Sequence, residues 1–188
     1  MRRPGSDRAP RCGRGEPRPY NLCATITWDW ALPLLAGMNV QQGRLPVRRR
    51  LRLAGFDYGR PGAYFITVCT LGGPALFGVI RDDRVIESAA GAVVRAAWND
   101  LSRRFPDVEL DAFVVMPDHV HCVIVLAENG PALGEVVGAF KSLAARAVNR
   151  TLKRRGALWQ RGYYEHIVRN EDDLNHIRRY IATNPAYS

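Results

Sequence analysis

Short apolar runs bounded by turn residues mark the strands that the sequence predicts. Residues 64–70 are rich in β-branched and aromatic side chains and follow an Arg-Pro-Gly turn. Residues 108–115 have the same character, and a Pro-Asp turn separates them from a further apolar run at residues 119–126. A shorter run at residues 163–168 predicts a last strand.

Apolar residues that recur every three or four positions predict three amphipathic helices. The first covers about residues 90–105 and ends at Pro106, and the second covers about residues 133–155 and ends before Gly156. The third begins after Asn170, with acidic residues in its first turn. The element order predicts an α+β ferredoxin-like sandwich, a βαββαβ antiparallel sheet with helices on one face, plus a C-terminal helix.

The strand predicted at residues 119–126 begins with a His-Val-His triplet. Because side chains alternate along a strand, His119 and His121 share one face and Val120 points into apolar packing on the other. Two imidazoles on one face can bind a single divalent cation. The alternative is a pair of polar residues on the wetter face of a half-buried sheet.

The C-terminal helix carries two stripes of side chains. Its core-facing stripe consists of Leu174, Ile177 and Ile181, and a second stripe about a quarter turn away consists of Asp173, His176, Tyr180 and Asn184. The tyrosine therefore borders the core without joining it. A tyrosine in that position commonly packs with its hydroxyl group in water, which is the alternative to a chemical role.

The charge balance of the 188-residue chain points to an anionic partner. It contains 27 Lys and Arg residues against 18 Asp and Glu residues, for a net charge of +9. Polyanion-binding proteins commonly show such an excess, so nucleic acid is the expected partner. The alternative is a basic protein that its charge keeps in solution.

Residues 1–44 are expected to form a basic extension separate from the domain at residues 45–188. Residues 1–37 are rich in Arg, Pro and Gly without a sustained period, a disordered composition, and translation is expected to start at Met38. The apolar run near Pro33 is too short to span a bilayer. Scattered cysteines without a CxxC pair argue against a disulfide scaffold or a zinc ribbon and favour a reducing cytosol.

Six motifs, in order, resemble the REP-associated tyrosine transposases, which belong to the IS200-like single-strand DNA transposases with a His-hydrophobic-His site. The motifs are YFITVCT at 64–70, VMPDHVH at 115–121, FKS at 140–142, LWQR at 158–161, YEHIVR at 164–169 and IRRYIATNP at 177–185. Together they extend the resemblance over about residues 45–186.

The resemblance implies metal-assisted cleavage and rejoining of hairpin-bearing single-stranded DNA by a monomer or homodimer. It makes Tyr180 the nucleophile and His119 and His121 ligands of Mg²⁺ or Mn²⁺. Asn184, one turn after the tyrosine, is the expected third ligand, although an Asn before Pro185 also suits a helix C-terminus. The expected DNA-contacting residues are Lys141, Arg146, Trp159, Gln160, Arg161, His166, Arg178 and Arg179.

The chain also departs from the family, and two other functions remain open. Asp118 stands where the family more often has Asn, and its extra negative charge is expected either to strengthen cation binding or to repel phosphate. The chain ends at Ser188 where relatives usually continue, and this shorter end leads us to expect a more loosely docked tyrosine helix. One alternative is a non-catalytic single-stranded nucleic-acid binding module of the same fold. Another is a metal-dependent hydrolase that needs no tyrosine.

Overall fold

The computed structural model of the protein describes residues 60–72 and 75–184. The predicted extension at residues 1–44 and the expected start at Met38 lie outside this part. The helix predicted over residues 90–105 is divided in two at Asp100. The elements are β1 (Gly62–Cys69), β2 (Gly78–Arg81), β3 (Arg84–Glu87), α1 (Ala89–Asn99), α2 (Leu101–Arg104), β4 (Val108–Val115), β5 (His119–Leu126), α3 (Leu133–Thr151), β6 (Tyr164–Ile167) and α4 (Glu171–Thr183).

Four strands form one antiparallel sheet in the order β4, β5, β1, β6. The central strands β1 and β5 pair along their full length, from Gly62 opposite Leu126 to Cys69 opposite His119. The predicted α+β class is confirmed, and this strand order is compatible with the ferredoxin-like arrangement.

A hairpin of β2 and β3, which is not among the strands predicted from the sequence, precedes α1. Its turn residues Asp82 and Asp83 have φ angles of 47° and 57°. Positive φ at both central residues is the geometry of a hairpin turn that usually contains Asn-Gly or Asp-Gly. The prediction missed the hairpin because its strands are short and an Asp-Asp pair is a weak turn signal.

Different helices cover the two faces of the sheet. α1 and α3 pack over one face, where side chains such as Tyr64 and Phe140 belong to the main core. α4 covers the other face, and the buried residues there are Phe65, Val123, Ile177 and Ile181. The odd-numbered positions of β5 point toward α4, so His119 and His121 lie on the face that this helix covers.

Two further observations concern the location expected for the protein. None of the described helices is long and apolar enough to cross a membrane. In the part of the chain that the structure describes, Cys122 is a buried free thiol.

Candidate active site

The two histidines of β5 converge at their ring nitrogens. Nε2 of His119 lies 3.1 Å from Nε2 of His121, and the two residues are only 4% and 1% exposed. Val120, between them, points into the main core on the other side of the sheet. The prediction that both imidazoles share one face is confirmed, and the structure shows in addition that their Nε2 atoms are in contact.

Each imidazole has an oxygen atom within hydrogen-bond distance of its Nδ1 atom. Nδ1 of His119 lies 2.7 Å from Oδ1 of Asp118, and Nδ1 of His121 lies 2.8 Å from Oγ1 of Thr67. An ionised carboxylate only accepts hydrogen bonds, so His119 donates its Nδ1 proton and presents an Nε2 lone pair. The Thr67 hydroxyl can accept from or donate to His121, and only acceptance leaves the second Nε2 lone pair available to a cation.

Sequence reasoning missed the role of Thr67. Thr67 and His121 are directly opposite each other in the pairing of β1 with β5. Strand pairing between residues 54 positions apart leaves no local pattern in the sequence. Only the register of the two strands could have identified this hydroxyl as a partner of the histidine.

The donor set fits a divalent cation. Burial, followed by the neighbouring His119, holds the pKa of His121 well below its usual value, which keeps the ring neutral as a ligand must be. Two nitrogens bound at right angles to one cation at about 2.1 Å lie about 3.0 Å apart, close to the observed 3.1 Å. Since the described part of the chain has no group of three or more His, Cys, Asp or Glu side chains placed so that it could hold a metal ion, further ligands would be amide, water or phosphate oxygens.

Helix α4 places Tyr180 against the histidine pair. The centroid of its ring lies 5.4 Å from that of His121 and 6.0 Å from that of Phe65, in edge-on contacts. Burial raises the pKa of Tyr180, while a hydrogen bond with the Asn184 side chain acts in the opposite direction. The phenol is therefore protonated at neutral pH and half-buried beside the histidines.

Asn184 lies at the C-terminal end of α4, one turn after Tyr180. It is the C-terminal cap residue of α4, and it is buried at 6% exposure. Its side chain hydrogen-bonds to Tyr180, one turn earlier on the helix. The structure thus groups Asn184 with the tyrosine, and its service as a third metal ligand stays a proposal.

Two residues expected to contact DNA instead attach α4 to the sheet. Nε and Nη2 of Arg178 both lie 2.8 Å from Oδ2 of Asp111 on β4. Nε2 of His166 on β6 lies 3.1 Å from Oδ2 of Asp173. Protein carboxylates already engage both groups, which favours a structural role for Arg178 and His166 over the predicted DNA contact.

Trp159 and Lys141 are also given a structural role. Trp159 is 7% exposed, packs its ring 5.2 Å from that of Phe77 and donates from Nε1 to the Lys141 carbonyl at 3.0 Å. Nζ of Lys141 donates to the carbonyls of Gln160 and Gly162 at 2.9 and 2.5 Å, and burial lowers the pKa of this lysine. A buried indole has no free face for a nucleic-acid base, so the predicted DNA contact through the Trp159 ring is not supported.

The remaining expected DNA-contacting residues lie in solvent-accessible positions. Arg146 on α3, Arg161 in the loop before β6 and Arg179 on α4 are exposed, and Gln160 is partly exposed. Gln160 also donates its backbone N–H to the Cys69 carbonyl at 2.9 Å, which ties the loop to the end of β1. These four residues stay in the proposed contact set.

Known proteins are similar to this chain in sequence and in fold. The family described as "Transposase IS200 like" matches residues 79–184. An uncharacterized protein of Haemophilus influenzae is 31% identical over 159 residues, which cover 73% of this chain and 88% of that protein. The REP-associated tyrosine transposase of Escherichia coli K12 is 34% identical over 77 residues, which cover 41% of this chain and 44% of that protein.

A solved structure of a REP-associated tyrosine transposase bound to a REP hairpin resembles the fold with a TM-score of 0.54 and 24% identity, over 76% of this chain and 74% of that chain. At that identity the likeness concerns the fold. The family match carries more weight, because it spans more than half of the sequence and includes both β5 with its histidine pair and α4 with its tyrosine. The chain therefore belongs to the IS200-like transposase family.

Proposed function

We propose that this transposase cleaves and rejoins single-stranded DNA through a covalent bond between Tyr180 and a 5′ phosphate. One observation carries the proposal: His121 is in contact with His119 through Nε2 atoms 3.1 Å apart and with Tyr180 through rings 5.4 Å apart. The histidine pair that we propose as the cation site and the tyrosine that we propose as the nucleophile are thus neighbours on the same face of the sheet.

Tyr180 acts as the nucleophile. Its oxygen forms a bond to phosphorus while the bond from phosphorus to the 3′ oxygen of the preceding nucleotide breaks. The phenolic proton passes to water, and the departing oxygen takes up a proton and becomes a 3′-hydroxyl. Attack by a second 3′-hydroxyl on the phosphotyrosine restores the phenol and joins the strands, without ATP.

His119 and His121 would hold Mg²⁺ or Mn²⁺, with Asn184 as the third protein ligand. When bound, the cation withdraws charge from the non-bridging phosphate oxygens. The protein orients the reacting groups. Asp118 and Thr67 fix the orientation of the two imidazole rings, and the hydrogen bond with Asn184 fixes the phenol of Tyr180.

The proposed partner is single-stranded DNA that carries a hairpin. Arg146, Arg161 and Arg179 supply exposed positive charge for phosphate contacts, and Gln160 supplies an amide. A protein of similar fold is bound to a REP hairpin, which favours repeated palindromic elements as the substrate class. The protein acts as a monomer or homodimer.

The test is to incubate the protein with end-labelled hairpin DNA and Mn²⁺ and to look for a protein–DNA adduct that survives denaturation. Tyr180→Phe should abolish the adduct and keep DNA binding, and Tyr163→Phe, on a tyrosine packed against the main core, is the matched control. His119→Ala and His121→Ala should lose cleavage.

The outcomes separate the proposal from its alternatives. An undiminished adduct in Tyr180→Phe would overturn the assignment of the nucleophile. Cleavage that depends on both histidines but leaves no adduct would indicate a hydrolase that activates water. Binding of intact DNA with and without Mn²⁺ would indicate a non-catalytic binding module.

A further inference from the structure

An apolar stripe joins α4 to the sheet, with four buried side chains and partly buried ones packed against them. In the described part of the chain its buried members are Phe65 and Val123 from the sheet and Ile177 and Ile181 from the helix. Apolar burial is non-directional. Directional polar contacts on its flanks can therefore define the rotation of α4 about its own axis, and with it the position of Tyr180 beside His121.

Arg178 supplies a directional contact on one flank of this apolar stripe. Its Nε and Nη2 atoms both lie 2.8 Å from Oδ2 of Asp111, and its Nη1 lies 3.3 Å from Oδ1 of Asn175. Asp111 lies where the register of β4 with β5 shifts, between Leu110 and Phe113. A bulge of this kind redirects a side chain, which explains how a strand residue reaches the helix.

A second polar contact lies on the opposite flank. Asp173 of α4 contacts His166 on β6 at 3.1 Å and accepts the Arg169 backbone N–H at 3.1 Å. Arg178 and Asp173 are five residues apart, which places them about 140° apart around a helix that turns about 100° per residue. The helix is thus held by β4 on one side and by β6 on the other, with the apolar stripe between them.

We propose that Asp111 and Arg178 are positioning residues for Tyr180: their ion pair fixes the rotation of α4 and so holds the phenol beside His121. This inference rests on the function proposed for Tyr180. A displacement of about 1 Å at a reacting group can cost on the order of a hundredfold in rate. The pair therefore affects the rate of phosphotyrosine formation more than it affects DNA or metal binding.

The experiment measures single-turnover adduct formation on hairpin DNA with Mn²⁺, together with the Kd for DNA and for Mn²⁺. Asp111→Asn and Arg178→Gln should each lower the rate by about tenfold or more, with both Kd values unchanged. The double variant should be no slower than the slower single variant, because both substitutions remove the same interaction. Arg178→Lys, which keeps the charge, should recover part of the rate.

Arg103→Gln is the matched control. Arg103 lies on α2 with its side chain 84% exposed, and its contact is a surface pair with Asp100 at 3.6 Å. Loss of this arginine should leave all three measurements unchanged. A rate loss of similar size in Arg103→Gln would show that any lost arginine slows the reaction and would overturn the proposal.

Three further results would count against the positioning role. Wild-type rates in both single variants would overturn it while the proposed function stands. Weaker DNA binding in Arg178→Gln with no change in Asp111→Asn would show that the arginine contacts DNA instead. Absence of an adduct in the wild-type protein would overturn both proposals. This result differs from a failure of the positioning role alone, because in that case the wild-type protein still forms the adduct.

Discussion

The hydroxyl oxygen of Thr67 lies 2.8 Å from Nδ1 of His121, and both residues are buried at 1% exposure. The contact joins adjacent strands, since Thr67 on β1 is paired with His121 on β5. The outer partner of a metal-binding histidine sets the ring tautomer and its orientation. Thr67 therefore controls whether Nε2 of His121 presents its lone pair.

Thr67→Val should weaken Mn²⁺ binding by about ten- to a hundredfold, because valine keeps the shape and deletes the hydroxyl. Isothermal titration calorimetry on the DNA-free protein measures this directly, and Thr67→Ser should retain the affinity. The matched control is Thr70→Val: the Thr70 hydroxyl is buried with no hydrogen-bond partner in the part of the chain that the structure describes. Equal Mn²⁺ affinity in wild type and Thr67→Val would contradict the prediction.

Asp118 should be replaceable by Asn but not by Ala. The Asp118 carboxylate accepts from Nδ1 of His119 at 2.7 Å, and an amide oxygen can accept the same proton. Asp118→Asn should therefore change Mn²⁺ affinity only a few-fold, while Asp118→Ala should lower it by about tenfold or more. If both variants bind Mn²⁺ as wild type does, the ring of His119 does not depend on this carboxylate.

The attachment of α4 to β6 should weaken in acid. Burial alone would raise the pKa of Asp173, but hydrogen bonds from the Arg169 backbone N–H and from His166, with the charges of both residues, lower it below 3.8. A depressed pKa means that the carboxylate contributes stability above the unfolded value of 3.8 and loses it as the pH falls through the folded value. Asp173→Asn should cost about 1 kcal/mol at neutral pH.

Urea unfolding at a series of pH values checks this dependence. The difference in unfolding free energy between wild type and Asp173→Asn should shrink as the pH falls below 3.8. The exposed Asp172, next to it on α4, provides the control variant Asp172→Asn, for which a small and nearly constant difference is expected. A difference for Asp173→Asn that stays constant into acid would contradict the prediction.

Substitution of Trp159 should lower the stability of the protein more than its affinity for DNA. The indole is buried against Phe77 and Phe140, and its Nε1 donates to the Lys141 carbonyl. Trp159→Ala should cost about 3 to 5 kcal/mol in unfolding free energy, while Leu152→Ala, on a residue 40% exposed, should cost far less. A stable Trp159→Ala protein with weakened DNA binding would contradict this prediction and would indicate that the ring contacts DNA.

Local patterns predicted the elements that build the site. The β-branched runs became β1, β4 and β5, and the acidic first turn of α4 follows Asn170, whose side chain accepts the Asp173 N–H at 2.8 Å. The hairpin of β2 and β3 escaped prediction because it is short and its turn carries Asp-Asp. Strand alternation and helix capping depend on neighbours in the sequence, so they can be predicted without knowledge of the fold.

By itself the sequence determined that His119 and His121 share one face of a strand and that Tyr180 lies on the flank of a following helix, since both follow from backbone periodicity. Only the tertiary structure decided what surrounds them. It brought Thr67 to His121 and Asp111 to Arg178, and it buried Trp159. Contacts between distant residues and the burial of a side chain depend on strand register and packing, which no local pattern encodes.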